Sequence, residues 1–189
     1  QRDIILISKK GKAIRFNEQE VRPTGRGSMG VTGMRFGADD ELIAMIMDIQ
    51  GESILFATEN GMGKRTLVEE FSAQHRGGQG VLCYKVTEKT GDLVAAKAVN
   101  EGDQIMMITN EGVIIRTSVD SVSIIGRNTQ GVKLINLSSD EVKVKGMARL
   151  GKEMLLDEEE ELSEEDQSED ELSEDQSEKE LSKEENNQD

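Results

Sequence analysis

Short apolar runs bounded by polar turns recur along the chain at a nearly fixed spacing. Ile4-Ile5-Leu6-Ile7, Ile54-Leu55-Phe56-Ala57 and Ile105-Met106-Met107-Ile108 are offset by 50 and then 51 residues. The same offsets carry Gly11 onto Gly61 and Gly112, Arg15 onto Arg65 and Arg116, and Val21 onto Phe71 and Val122. They also carry Arg26 onto Arg76 and Arg127, Gly30 onto Gly80 and Gly131, and Val31 onto Val81 and Val132, with no gap anywhere. Several residue types holding register through three copies mark a structural repeat of supersecondary units.

Each copy reads as β. The first apolar run ends in a turn signal (Lys9-Lys10-Gly11, Asn60-Gly61, Asn110-Glu111-Gly112), where Gly or Asn accepts the positive φ of a tight hairpin. A second strand follows, over 13–16 in the first copy and 113–117 in the third. Next come a polar, Gly-rich loop, a third strand (31–36, 81–86, 132–137), another turn and a fourth strand (42–47, 93–99). Short helical turns fit near 18–21, 68–71 and 120–122, but no segment has the length and 3.6 period of a full helix. The expected architecture is all-β and propeller-like, with three four-stranded blades over about 3–51, 52–102 and 103–152. Propellers close with about four to eight blades, so further blades are expected before Gln1. A start at Gln, inside an apparent strand, fits a fragment. With 3% aromatic residues and no Trp, the WD and kelch blade signatures are missing, which disfavours a protein-binding scaffold propeller.

Charge divides the chain. Residues 1–152 hold 21 basic and 19 acidic side chains, a net +2, whereas 153–189 hold 2 and 19, a net −17. The acidic segment carries too little apolar surface to fold alone and reads as a disordered tail. Leu162, Leu172 and Leu181 do not share one helical face. Its role is either solubilisation or competition with an anionic ligand for the body.

The chemistry available is narrow. Cys83 is the only cysteine and has no disulfide partner, which suits a reducing cytoplasm. With His75 the only histidine, no His/Cys zinc site can be built. No apolar run is long enough to span a bilayer, and the first residues lack a secretory pattern. Gly61-Met62-Gly63-Lys64-Arg65 lacks the first Gly and the final Ser/Thr of a nucleotide-binding loop. Tyr84, the only tyrosine, aligns with Met34 and Ile135 and reads as core. No catalytic constellation or cofactor site is expected.

Gln74-His75-Arg76-Gly77-Gly78-Gln79-Gly80 resembles the signature box of the DNA gyrase A family, Gln-Arg-Arg-Gly-Gly-Lys-Gly, with His75 and Gln79 standing where that pattern has Arg and Lys. Asn60-Gly61-Met62-Gly63-Lys64-Arg65-Thr66, the run from Asp103 to Thr109, and the run from Ile125 to Val132 are similar to the last blades of the same family, as is the acidic terminus. The resemblance covers 1–150. It implies a β-pinwheel, a propeller variant of about six blades whose neighbours exchange strands, with duplex DNA wrapped on a basic outer rim. It further implies a partnership with the rest of gyrase A and, through it, gyrase B in an A2B2 bacterial enzyme that supercoils DNA with ATP. The cleavage and ATPase chemistry would then lie outside this chain. It also suggests that the acidic tail competes with DNA. Topoisomerase IV, a relative in the same class, has more degenerate boxes.

The residues support DNA contact on physical grounds. Closely spaced glycines let backbone N–H groups approach phosphate, and a neighbouring Arg adds bidentate hydrogen bonds. The candidate DNA-binding set is Gln74, His75, Arg76, Gly77, Gly78, Gln79 and Gly80, with Arg26 and Arg127 in the equivalent loops. Lys64 and the column Arg15, Arg65 and Arg116 complete it. The column also admits another reading, in which each Arg locks one blade to the next.

Overall fold

Each apolar run forms one strand, and its turn glycine folds the next strand back upon it. The computed structural model describes residues 2–154. The first unit contains β1 (Asp3–Ser8), β2 (Lys12–Asn17) and β3 (Leu42–Met47). The second contains β4 (Ser53–Thr58), β5 (Met62–Leu67), β6 (Val81–Leu82) and β7 (Leu93–Val99). The third contains β8 (Gln104–Thr109), β9 (Ile114–Ser118), β10 (Val132–Lys133) and β11 (Val144–Leu150). All strand ladders are antiparallel, and a 3₁₀ turn follows the second strand of every unit, at Glu18–Glu20, Val68–Glu70 and Val119–Ser121.

The third strands depart from the sequence expectation. In the second and third units only two residues of this strand form a ladder, and they pair with the preceding unit. β6 lies on β2 through Lys12↔Leu82 and Ala13↔Val81, and β10 lies on β5 through Val132↔Gly63 and Lys133↔Met62. The sheet orders are therefore β3-β1-β2-β6, β10-β5-β4-β7 and β11-β8-β9. Residues 31–36, expected as a strand, form none: among the described residues no earlier unit offers them an edge, and only Met34 makes a bridge, to Gly78. The outer edge of β9 likewise receives no crossing strand among the described residues.

This exchange puts the core between units. Ile5, Ile7 and Ile46 of the first unit pack with Phe56, Phe71, Cys83 and Tyr84 of the second. Leu55, Ala57 and Val99 of the second pack with Ile105, Met107 and Val122 of the third. Every residue of β4 is buried because a unit covers each of its faces, whereas buried and more exposed residues alternate along β8 over 105–109. The half-buried period of 2 thus marks a unit with one open face.

The turn glycines record the same geometry. Gly11, Gly61 and Gly112 have φ of +83°, +77° and +80°. A side chain on Gly11 or Gly61 would strike Tyr84 or Ile135 of the next unit, while Gly112 faces open space.

The chain divides into two units, Gln1–Gly151 and Lys152–Asp189. The acidic segment expected to be a tail lies outside the described residues from 155 onward.

Candidate nucleic-acid interface

In both interfaces the Gly-rich loop of one unit crosses the outer edge of the unit before it. The first crossing uses 73–80. Gln74 N–H donates to Arg15 O (2.7 Å), Gly77 N–H to Gly33 O (2.6 Å), and Gly78 O accepts from Arg35 N–H (2.9 Å). Gly80, at φ +71°, sits so close to β2 that a Cβ would lie 2.3 Å from Ala13 O. Gly80 is needed here for close approach to a neighbouring backbone, and Gly77 for its φ of +79°.

That corrects one expectation. The loop's backbone N–H groups were expected to approach phosphate, but those of Gln74, Arg76 and Gly77 are already taken by Arg15 O, a Glu20 carboxylate oxygen and Gly33 O. The imidazole of His75 is almost fully exposed and 3.4 Å from Glu20, and Gln79 is also exposed.

The loop arginines act as clamps. Arg76 donates from Nε to Glu20 O (3.0 Å) and from Nη1 to Thr32 O (3.0 Å), while its N–H meets Glu20 Oε2 at 3.1 Å. Arg127 repeats the pattern one unit later, with Nη1 donating to Leu82 O (3.3 Å) and N–H to Glu70 Oε2 (3.3 Å). Both residues stay half-buried. Arg26 is exposed, and among the described residues there is no earlier unit for it to clamp.

The column of Arg15, Arg65 and Arg116 shows the locking arrangement wherever a next unit exists. Arg15 ion-pairs with Asp3 (2.8 Å) and Asp48 (3.3 Å), and its Nη1 donates to Val68 O (3.2 Å). Arg65 is 6% exposed and donates from Nε to Val122 O at 2.7 Å. Arg116, on the open edge of β9, is exposed and bonds Gln104. Neither Arg15 nor Arg65 has a guanidinium free to reach far from the body.

Lys64 is more enclosed still, at 0% exposure. Its ammonium donates to Gly126 O and Arg127 O (2.7 Å each) and to Thr129 Oγ1 (3.0 Å). Burial pulls its pKa down from 10.5 to about 8. Tyr84 is fully buried, its hydroxyl donates to Gln130 O at 2.5 Å, and burial raises its pKa. Burial also pushes the Cys83 thiol up to about 12, which suits an inert core residue. Among the described residues no group of three or more His, Cys, Asp or Glu side chains could hold a metal, and no helix is long and apolar enough to cross a membrane.

Sequence reasoning overlooked several contributors. Glu20 and Glu70, one repeat apart, each accept from a loop arginine. Ser8, Thr58 and Thr109 share one register, and their hydroxyls accept from Lys12, Met62 and Val113 N–H inside the three hairpins. Arg35 and Lys85, also one repeat apart, are exposed, as is Lys133 on the crossing strand β10. The fixed offsets alone would have revealed the Glu pair, the hydroxyl set and the Arg35–Lys85 pair, while Lys133 stands outside that register.

Antiparallel units joined by exchanged strands and carrying equivalent loops define a β-propeller of the pinwheel type. The family described as "DNA gyrase C-terminal domain, beta-propeller" matches residues 2–47, 52–100 and 103–150, and the chain belongs to it. DNA gyrase A of Pseudomonas aeruginosa is 49% identical over 149 residues, covering 79% of this chain and 16% of the relative. DNA gyrase A of Escherichia coli K12 is 45% identical over 148 residues, covering 78% of this chain and 17% of the relative. The chain thus spans about a sixth of the length of these curated relatives. A solved DNA gyrase A C-terminal domain superposes with a TM-score of 0.73 at 32% identity, over 79% of this chain and 50% of that one. The C-terminal domain of a DNA topoisomerase IV reaches 0.74 at 22% identity, over 81% and 48%, a likeness of fold alone.

Proposed function

We propose that this chain binds and bends duplex DNA without reading its sequence, as part of the non-catalytic C-terminal region of a bacterial DNA gyrase A. The observation that carries the reading is the regular placement of equivalent basic loops on consecutive outer edges. Arg26, Arg76 and Arg127 recur with the units, and exposed Arg35, Lys85 and Lys133 lie on the segments that follow the loops. Cations spaced by a rigid repeat hold phosphates in register and specify no base. A surface that turns from unit to unit imposes curvature, and bending a short site by 40–90° costs on the order of 1–6 kcal/mol, so several contacts must share the work.

The locks divide the candidate residues by role. Arg15, Lys64 and Arg65 fix the units against each other, and the loop side chains meet the DNA. Cytoplasmic association with the chromosome, the remaining parts of gyrase A and gyrase B in an A2B2 enzyme, and ATP-driven supercoiling by that enzyme belong to the same reading. So does competition between the acidic segment after residue 152 and DNA for the basic edges. The family relationship and the sign of the charges support these extensions.

A relaxed plasmid closed by a nicking-closing enzyme in the presence of the chain tests the function. Bending into a chiral path shifts the linking-number distribution of the product in one direction, increasingly with protein concentration. An unshifted distribution at concentrations that retain the plasmid on the protein contradicts wrapping and leaves only binding.

A further inference from the structure

The two strand-exchange interfaces share a backbone but not a chemistry. In the first unit the side chains beneath the crossing loop are Ile14, Phe16 and Met34, which cluster with Leu6, and Ile14 reaches the backbone of the 73–80 loop near Gly78. One repeat later the same three positions are Lys64, Thr66 and Tyr84. Each of these donates to the loop that crosses above: Lys64 to Gly126 O, Arg127 O and Thr129 Oγ1, Thr66 to Ile125 O at 2.8 Å, and Tyr84 to Gln130 O. In the third unit the Lys64 position reverts to Ile115. A buried ammonium has been substituted into an apolar column at one interface only.

Burying a cation costs several kcal/mol unless its donors are all met. Here three donors meet three oxygens, and the rings of Tyr84 and Phe56 lie 5.2 and 5.9 Å from the nitrogen. The acceptors belong to the residues around Arg127. Thr129 Oγ1 also donates to Gly126 O at 2.9 Å, so the ammonium closes a ring of contacts inside the loop. An apolar side chain can support such a loop from below but cannot orient its carbonyls.

We infer that Lys64 is a positioning residue for DNA binding: its ammonium fastens the loop 126–129 from beneath and thereby fixes Arg127 on the outer edge. This rests on the duplex-binding reading above. The role is specific to the second interface, because the equivalent loop at 73–80 rests on Ile14. Protonation then matters for binding. The charged groups facing the ammonium are Glu70 on the turn after β5 and Arg127 in the loop, with Cys83 and Tyr84 on the crossing segment of its own unit. Burial holds the Cys83 thiol and the Tyr84 hydroxyl neutral well above pH 8, so Lys64, with a pKa of about 8, is the member of this set that changes charge between pH 7 and 9. The neutral amine has two donors for three acceptors and adds no positive potential below Arg127.

The test uses the full chain and its Lys64→Met variant, which keeps the length of the side chain and removes the charge. Backbone amide hydrogen exchange is expected to rise across 126–131 and to stay unchanged across 74–80. Affinity for a labelled mixed-sequence duplex falls roughly fivefold, as one fixed phosphate contact is loosened. Arg127→Ala costs less in the Lys64→Met background than in the parent. Parent affinity declines from pH 7 to 9 with a midpoint near 8, and the variant's does not.

Unchanged exchange at 126–131, or an equal cost of Arg127→Ala in both backgrounds, overturns the inference. If the parent itself fails to bind duplex, the functional reading falls while amide exchange still decides the role of Lys64. If the variant does not fold, the amide NMR shifts of Gly126 and Thr129 in the parent decide it. They move together with a midpoint near pH 8, and invariance up to pH 10 refutes the assignment.

Discussion

Gly80→Ala and Gly30→Ala form a matched pair that isolates the strength of strand exchange. The two glycines occupy one repeat position and share a left-handed backbone, φ +71° and +73°. Alanine in that conformation costs on the order of 1–2 kcal/mol at either site. Only Gly80 has a neighbour. Its added methyl would lie 2.3 Å from Ala13 O, 2.7 Å from Ala13 C and 3.1 Å from Ile14 N, all backbone atoms of a paired strand, whereas nothing lies within 4 Å of Gly30. Relief requires β6 to lift from β2, which puts at risk the two rungs at Lys12↔Leu82 and Ala13↔Val81. At a net 0.5–1.5 kcal/mol per hydrogen bond, Gly80→Ala should cost about 3 kcal/mol against about 1 for Gly30→Ala. Urea denaturation separates them: with m near 2 kcal/mol/M, their midpoints should differ by about 1 M. Equal losses would mean that backbone strain alone governs this position and that the exchanged strand contributes nothing measurable.

Arg65→Ala should destabilise the fold by about 1–3 kcal/mol by leaving the buried Val122 carbonyl unmet, while Arg116→Ala at the open edge should stay within about 0.5 kcal/mol; reversed effects in thermal or urea unfolding would contradict the locking role. The folded pKa of Lys64, about 8, lies below its ordinary 10.5, so the unfolded chain holds more protons between those values. Stability of the parent relative to Lys64→Met should therefore rise as pH increases from 8 to 10.5, and a flat or falling difference would refute the burial effect. Removing residues 157–189 should strengthen duplex binding at low salt, with a gain that shrinks as salt rises. Equal affinities at low ionic strength would leave the acidic segment a solubilising role only.

What the sequence displayed and what it hid have a common physical origin. Hairpins depend on local turn chemistry, so the turns at Gly11, Gly61 and Gly112 and the strands around them were legible, as were the 3₁₀ turns. The partner of a third strand is a long-range choice. Period and alternation for 81–86 read the same whether the strand closes its own unit or crosses to β2, and the two-residue ladder emerged only in three dimensions. Residues 31–36 have the pattern of a strand and no edge to pair with among the described residues, so pattern alone overstated them. Among the site residues, the Arg column admitted two roles because a guanidinium suits phosphate and carbonyl equally, and Val122 O decides for Arg65. Lys64 was visible as a polar interruption in the column of Ile14 and Ile115, a signal that points to a buried partner.

The claim that equivalent basic loops hold duplex DNA through its phosphates is tested most directly by affinity against salt for two unrelated duplex sequences. Each neutralised phosphate contributes a slope of about −0.9 to log K against log salt. One steep slope should be shared by both sequences and reduced by about one for each of Arg26→Ala, Arg76→Ala and Arg127→Ala. A shallow slope, or affinities that diverge between the two sequences, would contradict it.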